Sequence, residues 1–136
     1  MQTKFNTIKR ISAALISTLI LASTSLAFTI TDGDYKSKGA AAMELRLIVL
    51  DIDKGVIAAS LGVGAAGCAG EISGIGQTKG NVFTFTPYVK FDAEDSCSIK
   101  VVFDKDDKTI VIKENNCIYH HGAACSFDGK LTKVRK

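Results

Sequence analysis

The sequence predicts an all-β protein, a small antiparallel barrel or sandwich of seven or eight strands with two disulfides. Short segments alternate apolar and polar residues with period two, and turn-forming residues separate them at close intervals. The four cysteines, Cys68, Cys97, Cys117 and Cys125, all lie beyond an N-terminal segment that reads as an export signal.

That segment, residues 1–27, opens with Lys4, Lys9 and Arg10, runs apolar over 11–22 with only small hydroxyl interruptions, and ends Ser25-Leu26-Ala27. A basic start, an apolar stretch too short to span a bilayer comfortably and small residues at the last and third-last positions are the layout of a secretory signal peptide. Cleavage is expected after Ala27, leaving residues 28–136 as one exported β domain, periplasmic or secreted, with no membrane span. No cysteine stands at the cleavage site, which argues against a lipid anchor. Three of the 17 Lys and Arg and none of the 14 Asp and Glu fall in the signal, so 14 of each remain. The basic balance belongs to the leader, and a nucleic-acid or anionic-membrane partner loses its main support.

Residues 28–42 are polar and turn-rich, a partly flexible lead-in from which Phe28, Ile30 and Tyr35 are placed to dock. Over residues 43–50, Met43, Leu45, Leu47 and Val49 share a face, with Glu44 and Arg46 opposite before Ile48 and Leu50. This is a strand that starts half-exposed and ends buried on both faces. A tight turn, Asp51-Ile-Asp53-Lys-Gly55, leads to a second strand over 56–61. The turn resembles a calcium loop only in part, since its glycine is one position early and no bidentate Glu follows.

Gly62-Val-Gly64-Ala-Ala-Gly67 spells a dinucleotide fingerprint, but it enters Cys68-Ala-Gly70-Glu-Ile-Ser73-Gly74-Ile-Gly76 and not a helix, so no phosphate site is expected. Glycines at this density suit bulges, bends or a closely approaching backbone. In Val82-Phe83-Thr84-Phe85-Thr86 the two phenylalanines share a face, Pro87 ends the strand, 88–91 form a short extension, and Asp92-Ala-Glu94-Asp95 is an exposed acidic turn. The clearest hairpin pairs residues 98–103, with Ile99, Val101 and Phe103 inward, with 109–113, where Ile110 and Ile112 point inward. Its turn, over 104–108, carries three aspartates with nothing to fix them on a cation. Residues 114–116 turn the chain, and 126–134 make a last strand with Phe127 and Leu131 on one face.

Two readings compete for Cys117 to Gly129, which holds both histidines. In a reducing compartment Cys117, His120 or His121, and Cys125 would be soft ligands for zinc. Export favours disulfides, and of three possible pairings Cys68–Cys97 with Cys117–Cys125 is preferred, because Gly122, Ala123 and Ala124 let the second pair close a small ring.

No catalytic arrangement is legible, so an enzyme is not expected. The serines lie outside any nucleophile-elbow context, and carboxylates such as Asp92 and Glu94 sit in turns. No cofactor is expected. A copper or zinc site built on His120 and His121 is the alternative.

The closing segment Cys117-Ile-Tyr119-His120-His121-Gly122-Ala-Ala-Cys125-Ser-Phe127-Asp-Gly129, with Gly67-Cys68-Ala-Gly70-Glu71 and Cys97-Ser-Ile-Lys-Val upstream, resembles small exported bacterial proteins related to periplasmic lysozyme inhibitors. Ser73-Gly74-Ile-Gly76 is similar to the inserting Ser-Gly loop of such inhibitors, although the chain has no tryptophan. The resemblance implies an antiparallel β domain that binds an enzyme through a protruding loop. The expectation is therefore a soluble, disulfide-stabilised binding protein, an inhibitor or immunity factor for a peptidoglycan hydrolase such as lysozyme, or a structural envelope protein. Ser73, Gly74, Tyr119, His120, His121 and Gly122 are the expected partner contacts.

Overall fold

Every second side chain along the strands points into one shared interior. The computed structural model describes residues 29–134, so the expected signal and its cleavage site lie outside the described residues. The strands are β1 (Gly33–Ser37), β2 (Ala42–Asp51), β3 (Val56–Ala65), β4 (Cys68–Lys79), β5 (Val82–Phe85), β6 (Ser98–Phe103), β7 (Thr109–Asn115) and β8 (Gly129–Lys133). Each pairs antiparallel with the next, and β1 pairs with β8, with Tyr35 opposite Lys133, to close an up-and-down barrel. Closure removes the free edges that an open sheet must protect.

Eight strands enclose a space just wide enough for side chains to fill. Leu45, Leu47, Leu61, Phe83, Phe85, Ile99, Phe103, Ile110, Ile112 and Leu131 are buried there. Each contributes about 1.5–3 kcal/mol relative to exposure. The predicted hairpin of β6 and β7 is present with its five expected inward residues, but β7 continues to Asn115 and the turn falls on Asn116, at φ 57°.

The expected lead-in contains a strand. β1 reads as polar because its outward residues are charged: Asp34 lies opposite Arg46 and Lys36 opposite Glu44, with ion pairs of 2.8 and 3.3 Å. Ile30 and Tyr35 are buried, as the sequence suggests. β2 does not end buried on both faces, since Ile48 and Leu50 point outward and are exposed.

The glycine-rich run is the longest strand, β4. Gly74 and Gly76 share the inward side with Ile72, where β5 crosses closely. A Cβ would stand 2.0 Å from the Thr86 carbonyl oxygen at Gly74 and 1.9 Å from that of Thr84 at Gly76. Residues 88–91 do not extend β5; a single bond from the Tyr88 amide to the Ser73 carbonyl, 2.8 Å, ties them to β4.

Up-and-down order sorts the connections between two ends. One end carries tight turns and the entering chain. There Thr31, Tyr35 and Lys133 converge on Asp107, whose backbone sits at φ 54° in the β6–β7 turn. The Tyr35 hydroxyl donates to the Asp107 carboxylate, and Lys133 Nζ lies 2.6 Å from Thr31 Oγ1. This cluster fastens the turn to the β1–β8 seam. The other end carries the two long connections, residues 86–97 and 116–128, and both disulfides.

Candidate binding face and its disulfide-pinned cap

The disulfides are Cys68–Cys125 and Cys97–Cys117, which overturns the preferred pairing. Barrel register decides this. Ser98 pairs with Asn115 across β6 and β7, so Cys97 and Cys117, just beyond the paired ends, lie with Cα atoms 4.5 Å apart. Cys125 is carried across the barrel mouth to the start of β4, with a Cα separation from Cys68 of 5.8 Å. Residues 117–128 thus form a cap pinned near both ends. Gly70 pairs with His121 in an isolated bridge, and the Gly122 amide donates to the Ala69 carbonyl at 3.2 Å. Gly70 is required there, because a Cβ would lie 2.4 Å from His121 Cβ.

The adjacent histidines diverge. His120, in the 3-10 turn Ile118–His120, places Nε2 2.7 Å from Asp95 Oδ2. His121 places Nε2 3.0 Å from Glu114 Oε1 and Nδ1 2.9 Å from the Gly122 carbonyl. They hold different carboxylates on different elements, and no group of three His, Cys, Asp or Glu side chains among the described residues is arranged to hold a metal.

Asp95 is not part of an exposed acidic turn; it is 3% exposed. One oxygen accepts the Cys97 amide at 3.0 Å, and the other accepts the Phe91 amide at 2.9 Å and faces His120. The amides of Phe91 and Cys97 hold its carboxyl at a pKa of about 2; burial opposes them and His120 assists. Asp95 thus joins the two long connections from beneath.

Above this hub lies the exposed feature of the site. The rings of Phe91 and Tyr119, one from each connection, stack with centroids 4.7 Å apart and planes within 1°. They are 67% and 55% exposed, and Tyr88 beside them is 82% exposed. With Glu71, Ser73 and Lys90 they line a groove of about 460 Å³. Across Tyr88 and Ser73, a second shallow groove continues over Arg46, Ile48, Ala58 and Ile75 on the outer wall. Aromatic residues are enriched at protein interfaces, which makes this pair the candidate contact of the face.

Of the expected contacts, Ser73, Tyr119 and His120 come together at this groove. Ser73 and Gly74 lie inside β4 and not on a protruding loop; Ser73 Oγ bonds Ser60 Oγ at 3.1 Å, and Gly74 lines the second groove. His121 and Gly122 serve the cap. Tyr88, Phe91 and Asp95 were missed; the available signal was an apolar Tyr-Val-x-Phe run after the sole proline, inside an otherwise charged connection.

In comparisons with protein-family models, curated proteins and solved structures, nothing matches the chain. The fold and the face must speak for themselves. A closed β-barrel carrying two disulfides fits an exported protein. No helix among the described residues is long and apolar enough to cross a membrane.

Proposed function

We propose that this is a periplasmic or secreted binding protein that engages a protein partner through the Phe91–Tyr119 face. The observation that carries this reading is the preorganisation of an exposed aromatic pair. The two rings stack on the surface next to residues fixed by the buried Asp95 hub and the Cys97–Cys117 crosslink. Ordering costs are met in the free protein, which favours affinity when a partner covers the rings. The rim supplies Glu71, Lys90, Ser73 and the Tyr88 hydroxyl for orientation.

The partner class we propose is a peptidoglycan hydrolase such as lysozyme, in keeping with the Cys117-to-Gly129 kernel and an exported location. Ser73, Tyr119 and His120 are its contacts in this reading, with Tyr88 and Phe91 as added anchors. Purified protein titrated against a panel of lysozymes and other peptidoglycan hydrolases, with binding and inhibition both measured, tests it. Binding that weakens about 30-fold or more on Phe91→Ala or Tyr119→Ala supports the reading, since aromatic anchors are worth about 2 kcal/mol or more. Absence of binding across the panel removes the hydrolase; a stable envelope partner bound at the same face without inhibition would assign a structural role.

A further inference from the structure

We infer that the cap over the barrel mouth is a proton-dependent clasp that closes fully only when His121 carries a proton on both ring nitrogens. The inference rests on hydrogen-bond chemistry and stands whether or not the partner proposed above is the right one.

The His121 side chain is 3% exposed, wedged between Gly70 and the ring of Phe127, which meets it edge-on at 5.1 Å. Its Nδ1 is 2.9 Å from the Gly122 carbonyl oxygen, an acceptor with no hydrogen to give. Its Nε2 is 3.0 Å from Glu114 Oε1. The other Glu114 oxygen accepts the Phe127 amide at 2.7 Å, so an ionised Glu114 presents Oε1 to the ring as an acceptor. Both imidazole nitrogens therefore face acceptors. A neutral imidazole has a single N–H and satisfies one of them; the second contact then sets lone pair against lone pair in a site that water hardly reaches.

The surrounding charges do not supply another donor. On β7 the facing group is Glu114 itself, while Lys113 is paired with Asp128 at 2.8 Å, and Asp128 also accepts the Glu114 amide. β4 presents Gly70 and the disulfide of Cys68, with Glu71 on the outer side; within the cap, His120 is committed to Asp95. Loss of the second proton from His121 therefore releases either the cap's link to β7 or the turn at Gly122.

The wild-type chain provides the test. Ring nitrogen chemical shifts of His121 and exchange protection of the Gly122 and Phe127 amides, corrected for intrinsic rate, are followed by NMR from pH 5 to 9. We expect two protonated ring nitrogens at the acid side. As the second proton leaves, protection should fall about tenfold to hundredfold, the factor carried by a hydrogen bond to a charged group. Glu114→Gln, whose side-chain amide can donate to Nε2, should hold His121 singly protonated with protection flat in pH. A His121 that carries one proton throughout, or that deprotonates with no change in protection, overturns the inference.

Discussion

Asp95 Oδ2 and His120 Nε2 meet at 2.7 Å beneath the Phe91–Tyr119 stack, so the two long connections at one end of the barrel are joined by a buried carboxylate. The amides of Phe91 and Cys97 complete the hub. Phe91 and the residue next to Tyr119 are thus both bonded to one buried carboxylate, and each part of the hub has a measurable consequence.

The Asp95 carboxyl titrates at about 2 in the folded state, well below its unfolded value of about 4. A depressed pKa gives stability that is fully present above the unfolded value and is lost as pH falls through the folded one. Urea midpoints of the wild type should drop between pH 4 and pH 2, whereas Asp95→Asn should be less stable at pH 7 and show a shallower acid decline. Parallel acid profiles for the two proteins would refute the role given to Asp95.

Non-reduced peptide mapping should recover Cys68–Cys125 and Cys97–Cys117, with cleavage after the exposed Tyr119 needed to part Cys117 from Cys125. Sequence separations of 57 and 20 residues correspond to loop-closure contributions of about 4 and about 3 kcal/mol. Cys68→Ser/Cys125→Ser should lower the denaturation midpoint at least as much as Cys97→Ser/Cys117→Ser. Only the second should also disorder the aromatic stack.

At the opposite end, burial and the hydrogen bond to Asp107 push the Tyr35 hydroxyl well above its ordinary pKa. A raised acid pKa means that this contribution is intact below pH 10 and declines above it, as the unfolded chain ionises first. Tyr35→Phe should cost about 1.5–3 kcal/mol at neutral pH, the range for a hydrogen bond to a charged group. It should also remove the alkaline decline. Equal stability of the two proteins at pH 7 would show that the Asp107 cluster does not fasten the seam.

Glycine positions separate by what a methyl group would meet. Gly76→Ala drives a Cβ to 1.9 Å from the Thr84 carbonyl and should destabilise by about 1–3 kcal/mol or more through overpacking. Gly64→Ala meets nothing within 4 Å and should be neutral or stabilising by about 0.5–1 kcal/mol. Thermal midpoints of the two variants, measured side by side, check the account of Gly76 in β4, with Gly64 in β3 as the uncrowded control.

The legible elements were those whose inward positions hold large apolar residues. Ile99, Val101, Phe103, Ile110 and Ile112 announce β6 and β7, and Leu45 and Leu47 announce β2. β4 was hidden because Gly70, Gly74 and Gly76 take inward places, so the alternation that marks a strand is missing from its sequence. β1 was hidden because its single large inward residue, Tyr35, is flanked by outward charges whose partners Arg46 and Glu44 lie on the neighbouring strand β2. The disulfide pairing depends on the register of β6 against β7 and on where the cap crosses, which nearness in sequence does not report. Asp95 looked like one more acid of a charged turn; its burial follows from three donors that come from a neighbouring amide, a loop amide and a distant histidine.

The most direct test of the proposed function maps the contact surface. Amide and aromatic NMR signals of the wild-type protein are followed during titration with a hydrolase that it binds. The account predicts shifts concentrated at Glu71–Ser73, Tyr88–Phe91 and Tyr119–His120, with the Tyr35–Asp107 end unchanged. Shifts confined to that opposite end, or an unperturbed Phe91–Tyr119 pair in a saturated complex, would contradict it.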